Sequence, residues 1–366
     1  MKDFNYFMPT KIIFGKDCIL NNSNIFKNTG NKAMIVTGRN SAKINGSEND
    51  IISALKKENV EYIIFDEIQE NPDVETVVKA AEIGKKENVD FVIGIGGGSP
   101  MDAAKAIACL VANPDCTEEI LFGEQKNHIP VIEVSTTAGT GSEVTPISVL
   151  TLHKQKTKSS ISQRIFAQYA FLDAKYMENL SPKITNNTAI DALSHIIEGY
   201  MAVKSNFFSD IIAEAGLKLF KECIPYIENR EYTFEIREKL LICSTIGGIL
   251  IAQTGTSLPH FFGYQLTYNK HIAHGAANGM LMTEYLKLFG EDKKVSNILN
   301  ILGIENMEKL QTFFKNSIKE SYDIKFTEEE INMYTDNTYL KKEKLSTFPY
   351  NISKEDIKKI YMNSLI

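Results

Sequence analysis

The sequence predicts a parallel α/β domain over residues 1–178 followed by an all-helical domain over residues 179–366. Three observations carry this expectation. Short apolar runs alternate with amphipathic stretches through the first half, and glycine-rich segments stand where a strand-like run gives way to a helix-like one. After about Pro182 the strand-like runs stop. A chain of 366 residues suits two separate cores, because a single core stops growing at roughly 250–300 residues.

In chain order, AMIVTG (33–38) is apolar and β-branched enough for a buried strand, and NDIISALKKEN (49–59) has the period of an amphipathic helix. YIIFDEI (62–68), VETVVKAAEIGKKEN (74–88) and FVIGIGGG (91–98) repeat the alternation as strand, helix and strand. The helix PMDAAKAIACLVAN (100–113) and the strand VIEVSTT (131–137) complete it. Ser99 is placed to cap the helix, Pro100 suits its first position, and Asp102 completes a capping-box-like pair. Such alternation marks βαβ units and a parallel sheet covered on both faces. Beyond Pro182, TNNTAIDALSHIIEGYMAV, SDIIAEAGLKLFKECIPYI and IREKLLICSTIGGILIAQ all follow the helical period. No repeat or low-complexity tract interrupts the chain.

Composition excludes several function classes. A net charge of −6 argues against a nucleic-acid or anionic-membrane partner, and KKEN (56–59) and KKEK (341–344) mix signs as solvated helix faces do. Cys18, Cys109, Cys116, Cys223 and Cys243 form no CxxC pair and are odd in number, which suits a reducing compartment. MKDFNYFMPT lacks the pattern of a secretory leader, and TIGGILIA (245–252) is far short of the ~20 residues of a membrane span. The expectation is a cytoplasmic protein.

Two polar-glycine loops point to a nucleotide. In GIGGGSPMDAAKAIA (94–108), Gly96, Gly97 and Gly98 allow close approach of backbone to a diphosphate at the start of a helix, whose free N–H groups attract anions. Ser99 stands where the last glycine of GxGxxG would be, and a ligand-free tight turn is the plainer reading of this segment alone. STTAGTGSEVT (135–145) follows another strand, and the hydroxyls of Thr136, Thr137, Thr140 and Ser142 suit phosphate, nicotinamide amide or ribose. Two such loops at the carboxyl ends of parallel strands describe a Rossmann-like dinucleotide-binding domain. In VTGRNSAK (36–43), Gly38 occupies the strand end where an NAD site usually carries a carboxylate, and Arg39, Ser41 and Lys43 follow. That favours a 2′-phosphate, and hence NADP(H) over NAD(H).

Asp191 and His195 are four residues apart in a helical segment, on one face and among Ala, Leu and Ile. His260 and His274 are separated by a stretch able to bring them back together. One carboxylate and three imidazoles suit a divalent transition metal, Fe²⁺ or Zn²⁺.

Taken in order, TKIIFG, GGGSPMDAAKAIA, STTAGTGSEVTPISVLT, LDAKYM, AIDALSHIIEGY and LPHFFGYQLTYNKHIAHGAANG resemble the iron-containing (group III) alcohol dehydrogenases over nearly the whole chain. The resemblance implies Asp191, His195, His260 and His274 as metal ligands. It implies cofactor contacts by Gly97, Gly98, Ser99, Asp102, Thr136, Thr137 and a later lysine, Lys158 or the neighbouring Lys156. His271 matches no ligand and reads as a polar loop residue near the cleft between the domains. Tyr264 stands where many members carry a second histidine near the nicotinamide. Tyr264 and His271 are thus the catalytic candidates, although a tyrosine of pKa about 10 is a poor proton shuttle at neutral pH.

The implied reaction is hydride transfer between NAD(P)H and a small alcohol/aldehyde pair, with the metal polarising the substrate oxygen and aldehyde reduction as the expected direction. Phe261, Phe262, Tyr264 and Tyr268 either narrow a pocket or belong to the core. Glycerol dehydrogenase and dehydroquinate synthase share the architecture, but the latter calls for a basic cluster absent near Asp191 and His260. A non-catalytic scaffold is the remaining alternative, and similar proteins are commonly homodimers.

Overall fold

The computed structural model describes residues 3–155 and 157–366. The chain forms two compact units, one of Met8–Thr137 with Gly141–Asn179, the other of Leu180–Ile366 with Met1–Phe7 and Ala138–Thr140. Residues 3–7 and the 138–140 tripeptide thus group with the helical unit rather than with the α/β unit next to them in sequence.

The α/β unit is built on a sheet of six parallel strands. The strands are β1 (Lys11–Phe14), β2 (Lys32–Thr37), β3 (Glu61–Phe65), β4 (Phe91–Gly96), β5 (Val131–Ser135) and, after a two-stranded antiparallel hairpin of β6 (Val149–Leu152) and β7 (Thr157–Ser160), β8 (Tyr169–Leu172). Their spatial order is β1-β8-β5-β4-β2-β3. The central strands β4 and β5 are buried along their full length because both faces are covered, while β1 and β3 at the edges are only partly buried.

Alternate residues feed two cores. Met34, Val36 and Val92 pack with Val77, Ala104 and Ile107 from the Val74–Lys86 and Gly98–Ala112 helices. Ala33, Ile35, Phe91, Ile93 and Ile132 pack on the opposite face with Ile51, Ala54 and Leu55 of the Ser47–Lys57 helix. Each fully buried large side chain contributes about 1.5–3 kcal/mol relative to exposure, so this alternation sets the register of the sheet. The order reverses between β2 and β4, since β3 lies to one side of β2 and β4 to the other. The loops after β2, β4 and β5 therefore share one edge of the sheet, at the switch point where open α/β sheets bind ligands.

The helical unit is organised around the Pro182–Met201 helix. Ser181 caps it by accepting the Ile184 N–H, and Pro182 occupies the first turn, where its missing donor costs nothing. Residues 189–201 are buried all round, as expected for a helix enclosed by others. The Phe207–Asn229, Phe234–Thr254 and His274–Lys287 helices pack directly on it. Among the described residues, no single helix is long and apolar enough to cross a membrane.

Candidate metal centre and nucleotide loops

The Pro182–Met201 helix carries Asp191 and His195 one turn apart on one face. His260 lies in the first turn of the Leu258–Lys270 helix, and His274 opens the His274–Lys287 helix. Folding brings the four together. Donor atoms of Asp191, His195 and His260 lie within 4.8 Å of one another. His260 Nε2 is 3.6 Å and His274 Nε2 4.0 Å from Asp191 Oδ1. The His195 and His260 rings stack at 4.3 Å, and the His274 ring stands edge-on to His260 at 5.1 Å. Asp191, His195 and His260 are buried, whereas the His274 side chain is 31% exposed at the rim.

Two close backbone approaches hold this arrangement. At Gly275 a Cβ would stand 2.0 Å from the Asn187 carbonyl oxygen and 2.6 Å from Asp191 Cβ, so only glycine lets the helix of His274 come this near. At Gly139 a Cβ would lie 2.9 Å from Thr188 Cβ, and the approach sets the Gly139 carbonyl 3.2 Å from His195 Nδ1. That carbonyl accepts the Nδ1 proton and leaves His195 Nε2 to face the cluster.

Electrostatics match the geometry. Burial alone would raise the Asp191 carboxyl, but His195, His274 and His260 outweigh it and hold it well below the usual carboxylate range. Burial, aided by His260, lowers His195 to about 4, so its imidazole is neutral at neutral pH. Burial also acts to lower His260, yet Glu198 and Asp191 push it up to about 10. His260 Nε2 is buried without a hydrogen-bond partner. One carboxylate, three imidazoles and this orphaned nitrogen fit a divalent transition ion, whose donors at about 2.1 Å stand some 3–4 Å apart.

Of the two catalytic candidates, Tyr264 is half-buried and stacks on His274 at 5.6 Å, one turn after His260. His271 is exposed at the C-terminal cap of the Leu258–Lys270 helix, in the left-handed conformation (φ 54°) that ends it. No described contact joins it to the cluster. Phe262 is buried against Tyr361, and Tyr268 is exposed.

On the α/β unit, the first helical residue is Gly98 and the cap is Gly97, so Ser99 lies inside the helix instead of capping it. The Ser99 hydroxyl is taken by the Asn71 N–H at 3.1 Å. Asp102 forms no capping box either, because its carboxylate turns inward to accept the Ser142 hydroxyl (2.6 Å) and the Val149 N–H (2.8 Å). Fully buried Lys105 donates to the Ser142 carbonyl and hydroxyl, both at 2.6 Å, and to Ile147 O. Asp102, Lys105 and Ser142 thereby tie the two polar-glycine loops together from beneath.

Thr136 donates its N–H to Gly96 O at 2.9 Å, and a Cβ on Gly97 would meet Thr137 Oγ1 at 3.0 Å. Gly96, Gly97, Gly98, Thr136 and Thr137 thus line one edge, and Thr140 groups with the helical unit. Gly38, Arg39 and Ser41 follow β2 at the same sheet edge; Arg39 and Ser41 are exposed, and Lys43 is paired with Asp66 at 2.5 Å. Lys158 on β7 donates to Asn71 Oδ1 at 2.6 Å. Lys156 lies outside the described residues. Asn71 (φ 59°) therefore links Ser99 to Lys158, a connection whose only sequence sign is the turn-forming Asn-Pro-Asp of residues 71–73.

Comparison with known proteins identifies the family. The sequence profile for iron-containing alcohol dehydrogenases matches residues 9–174, and that for the C-terminal part of the Fe-containing family matches residues 185–365. The NADPH-dependent butanol dehydrogenase of Clostridium saccharobutylicum is 28% identical over 324 residues, covering 86% of this chain and 82% of that protein. The NAD-dependent methanol dehydrogenase of Bacillus methanolicus is 28% identical over 313 residues, covering 84% and 82%. The crystal structure of an iron-containing alcohol dehydrogenase from Thermotoga maritima superposes with a TM-score of 0.91 at 37% identity, covering 99% of each chain. The chain belongs to the iron-containing alcohol dehydrogenase family, oxidoreductases acting on CH–OH groups.

Proposed function

We propose that this alcohol dehydrogenase reduces small aldehydes with NADPH, and that Asp191, His195, His260 and His274 hold Fe²⁺, with Zn²⁺ an acceptable substitute. The observation that carries the reading is the convergence of these four side chains around the buried, unpartnered Nε2 of His260. When bound, the cation supplies Lewis acidity to the substrate oxygen and the nicotinamide supplies the carbon that exchanges hydride.

The chain's own residues do the rest. The low Asp191 carboxyl and the neutral His195 imidazole present unprotonated donors at neutral pH. The Tyr264 ring lies over His274 and limits how that imidazole turns at the exposed rim. Its hydroxyl serves as a hydrogen-bond donor rather than a proton shuttle, and exposed His271 has no step assigned to it. The N-terminus of the Gly98–Ala112 helix, with Thr136, Thr137 and Lys158, binds the diphosphate. Gly38, Arg39 and Ser41 accommodate a 2′-phosphate.

The test uses protein purified anaerobically, stripped of metal and reloaded with Fe²⁺ or Zn²⁺, with butanal as substrate. Expected is metal-dependent oxidation of NADPH, faster than of NADH, with the preference moving toward NADH in Gly38→Asp. Turnover with NADH alone overturns the cofactor assignment. No turnover by the metal-loaded protein overturns the substrate class.

A further inference from the structure

We propose that Glu198 is the positioning residue that decides which nitrogen of His260 faces the metal. This rests on the metal reading above and goes beyond its four ligands. Glu198 is fully buried in the Pro182–Met201 helix, three residues after His195 and seven after Asp191, and so on their face. Its Oε1 stands 2.5 Å from His260 Nδ1, and its Oε2 accepts the Ser257 N–H at 2.5 Å. Ser257 is the N-cap of the helix that carries His260. One carboxylate thus holds both the imidazole and the backbone that delivers it.

The consequence follows from the two nitrogens of one ring. With Nδ1 as donor to Glu198, Nε2 is the nitrogen left to coordinate, and it is the atom that is buried without a partner 3.6 Å from Asp191 Oδ1. His195 is held in the same sense by a backbone carbonyl, Gly139 O on its Nδ1. A carboxylate buried to this degree is costly unless every oxygen is engaged, and both oxygens of Glu198 are. A purely structural role, anchoring the first turn of the Leu258–Lys270 helix, would require only the Ser257 contact.

Two measurements separate these roles. The first is a Zn²⁺ titration of the metal-free full-length protein against a chromophoric chelator, comparing the natural chain with Glu198→Gln. A glutamine side chain has a donor at one end, so it cannot accept from His260 and Ser257 together. The expected result is a Zn²⁺ affinity about 10–100-fold weaker in Glu198→Gln. Equal affinity in the two folded proteins overturns the proposal and leaves the metal reading standing, even where the variant unfolds at lower temperature. Failure of the natural chain to bind Zn²⁺ overturns the metal reading itself, and this proposal with it.

The second measurement does not depend on a variant that folds. In Zn²⁺-loaded natural protein labelled with ¹⁵N-histidine, His260 should keep its proton on Nδ1 and show Nε2 as the coordinated nitrogen. Coordination through Nδ1 overturns the proposal.

Discussion

One methyl group added at Gly275 should damage the proposed metal site without changing any of its four proposed ligands. The new Cβ would stand 2.0 Å from the Asn187 carbonyl oxygen, 2.6 Å from Asp191 Cβ and 2.8 Å from the Asp191 nitrogen. Comfortable carbon contacts begin at about 3.5 Å, so the shortfall against Asn187 is about 1.5 Å. The obstacle is the backbone of the Pro182–Met201 helix, and no side chain can swing aside to relieve it. The start of the His274–Lys287 helix must therefore retreat by roughly that amount and take His274 with it. Overpacking of this kind costs about 1–3 kcal/mol of stability. Metal sites tolerate displacements of only about 0.2 Å, so losing His274 from the set should weaken Zn²⁺ binding at least about tenfold, near 1.4 kcal/mol. Chelator competition reads the affinity, and thermal unfolding of metal-free protein reads the stability. Gly279→Ala on the same helix is the comparison, because its Cβ meets the Ile190 Cγ2 methyl, at 2.5 Å, and so overpacks a side chain instead of backbone. A Gly275→Ala protein that binds Zn²⁺ like the natural chain would refute the claim that this close approach places His274.

Two further outcomes follow from buried ionisable groups in the α/β unit. Burial lowers the Lys158 ammonium to about 8, against the opposing pull of Glu70, so the side chain is a cation below that pH and neutral above it. NADPH affinity, followed by nucleotide fluorescence, should fall as pH rises through about 8, and Lys158→Gln should flatten the profile; an unchanged profile removes Lys158 from the proposed phosphate site. Glu133 is fully buried with neither oxygen hydrogen-bonded, and burial, helped by Asp102 and Glu143 against the pull of Lys105, pushes its carboxyl well above the usual range. The folded chain keeps a proton that the unfolded chain releases above about pH 4.3, so stability should decline as pH rises from there toward the folded-state value. Glu133→Gln is neutral at every pH and should remove that part of the decline in denaturant unfolding, while parallel curves for the two proteins would show Glu133 to be ionised in the fold.

Some features were legible because they are local. Strands β2, β4 and β5 are buried on both faces and read as nearly unbroken apolar runs, and the four-residue spacing of Asp191 and His195 alone places them on one helix face. β1, β8 and the β6–β7 hairpin have four residues per strand, too few for periodicity to declare them. Ser99 and Asp102 looked like capping residues because their spacing fits a capping box. Their hydroxyl and carboxylate were instead claimed by Asn71 and Ser142, 28 and 40 residues away. Glu198 carried a signal of its own, lying three residues after His195, but nothing in the chain marks which glutamate is buried.

Donor types are residue identities, and their helical spacing and the sheet edge where the polar-glycine loops gather follow from periods of 3.6 and two residues along the chain. Packing in three dimensions sets which nitrogen of the His195 and His260 imidazoles is free, through Gly139 and Glu198, and how near His274 comes to Asp191. Those outcomes depend on contacts between residues 56 to 83 positions apart along the chain, and no local pattern encodes a distance across a packed core.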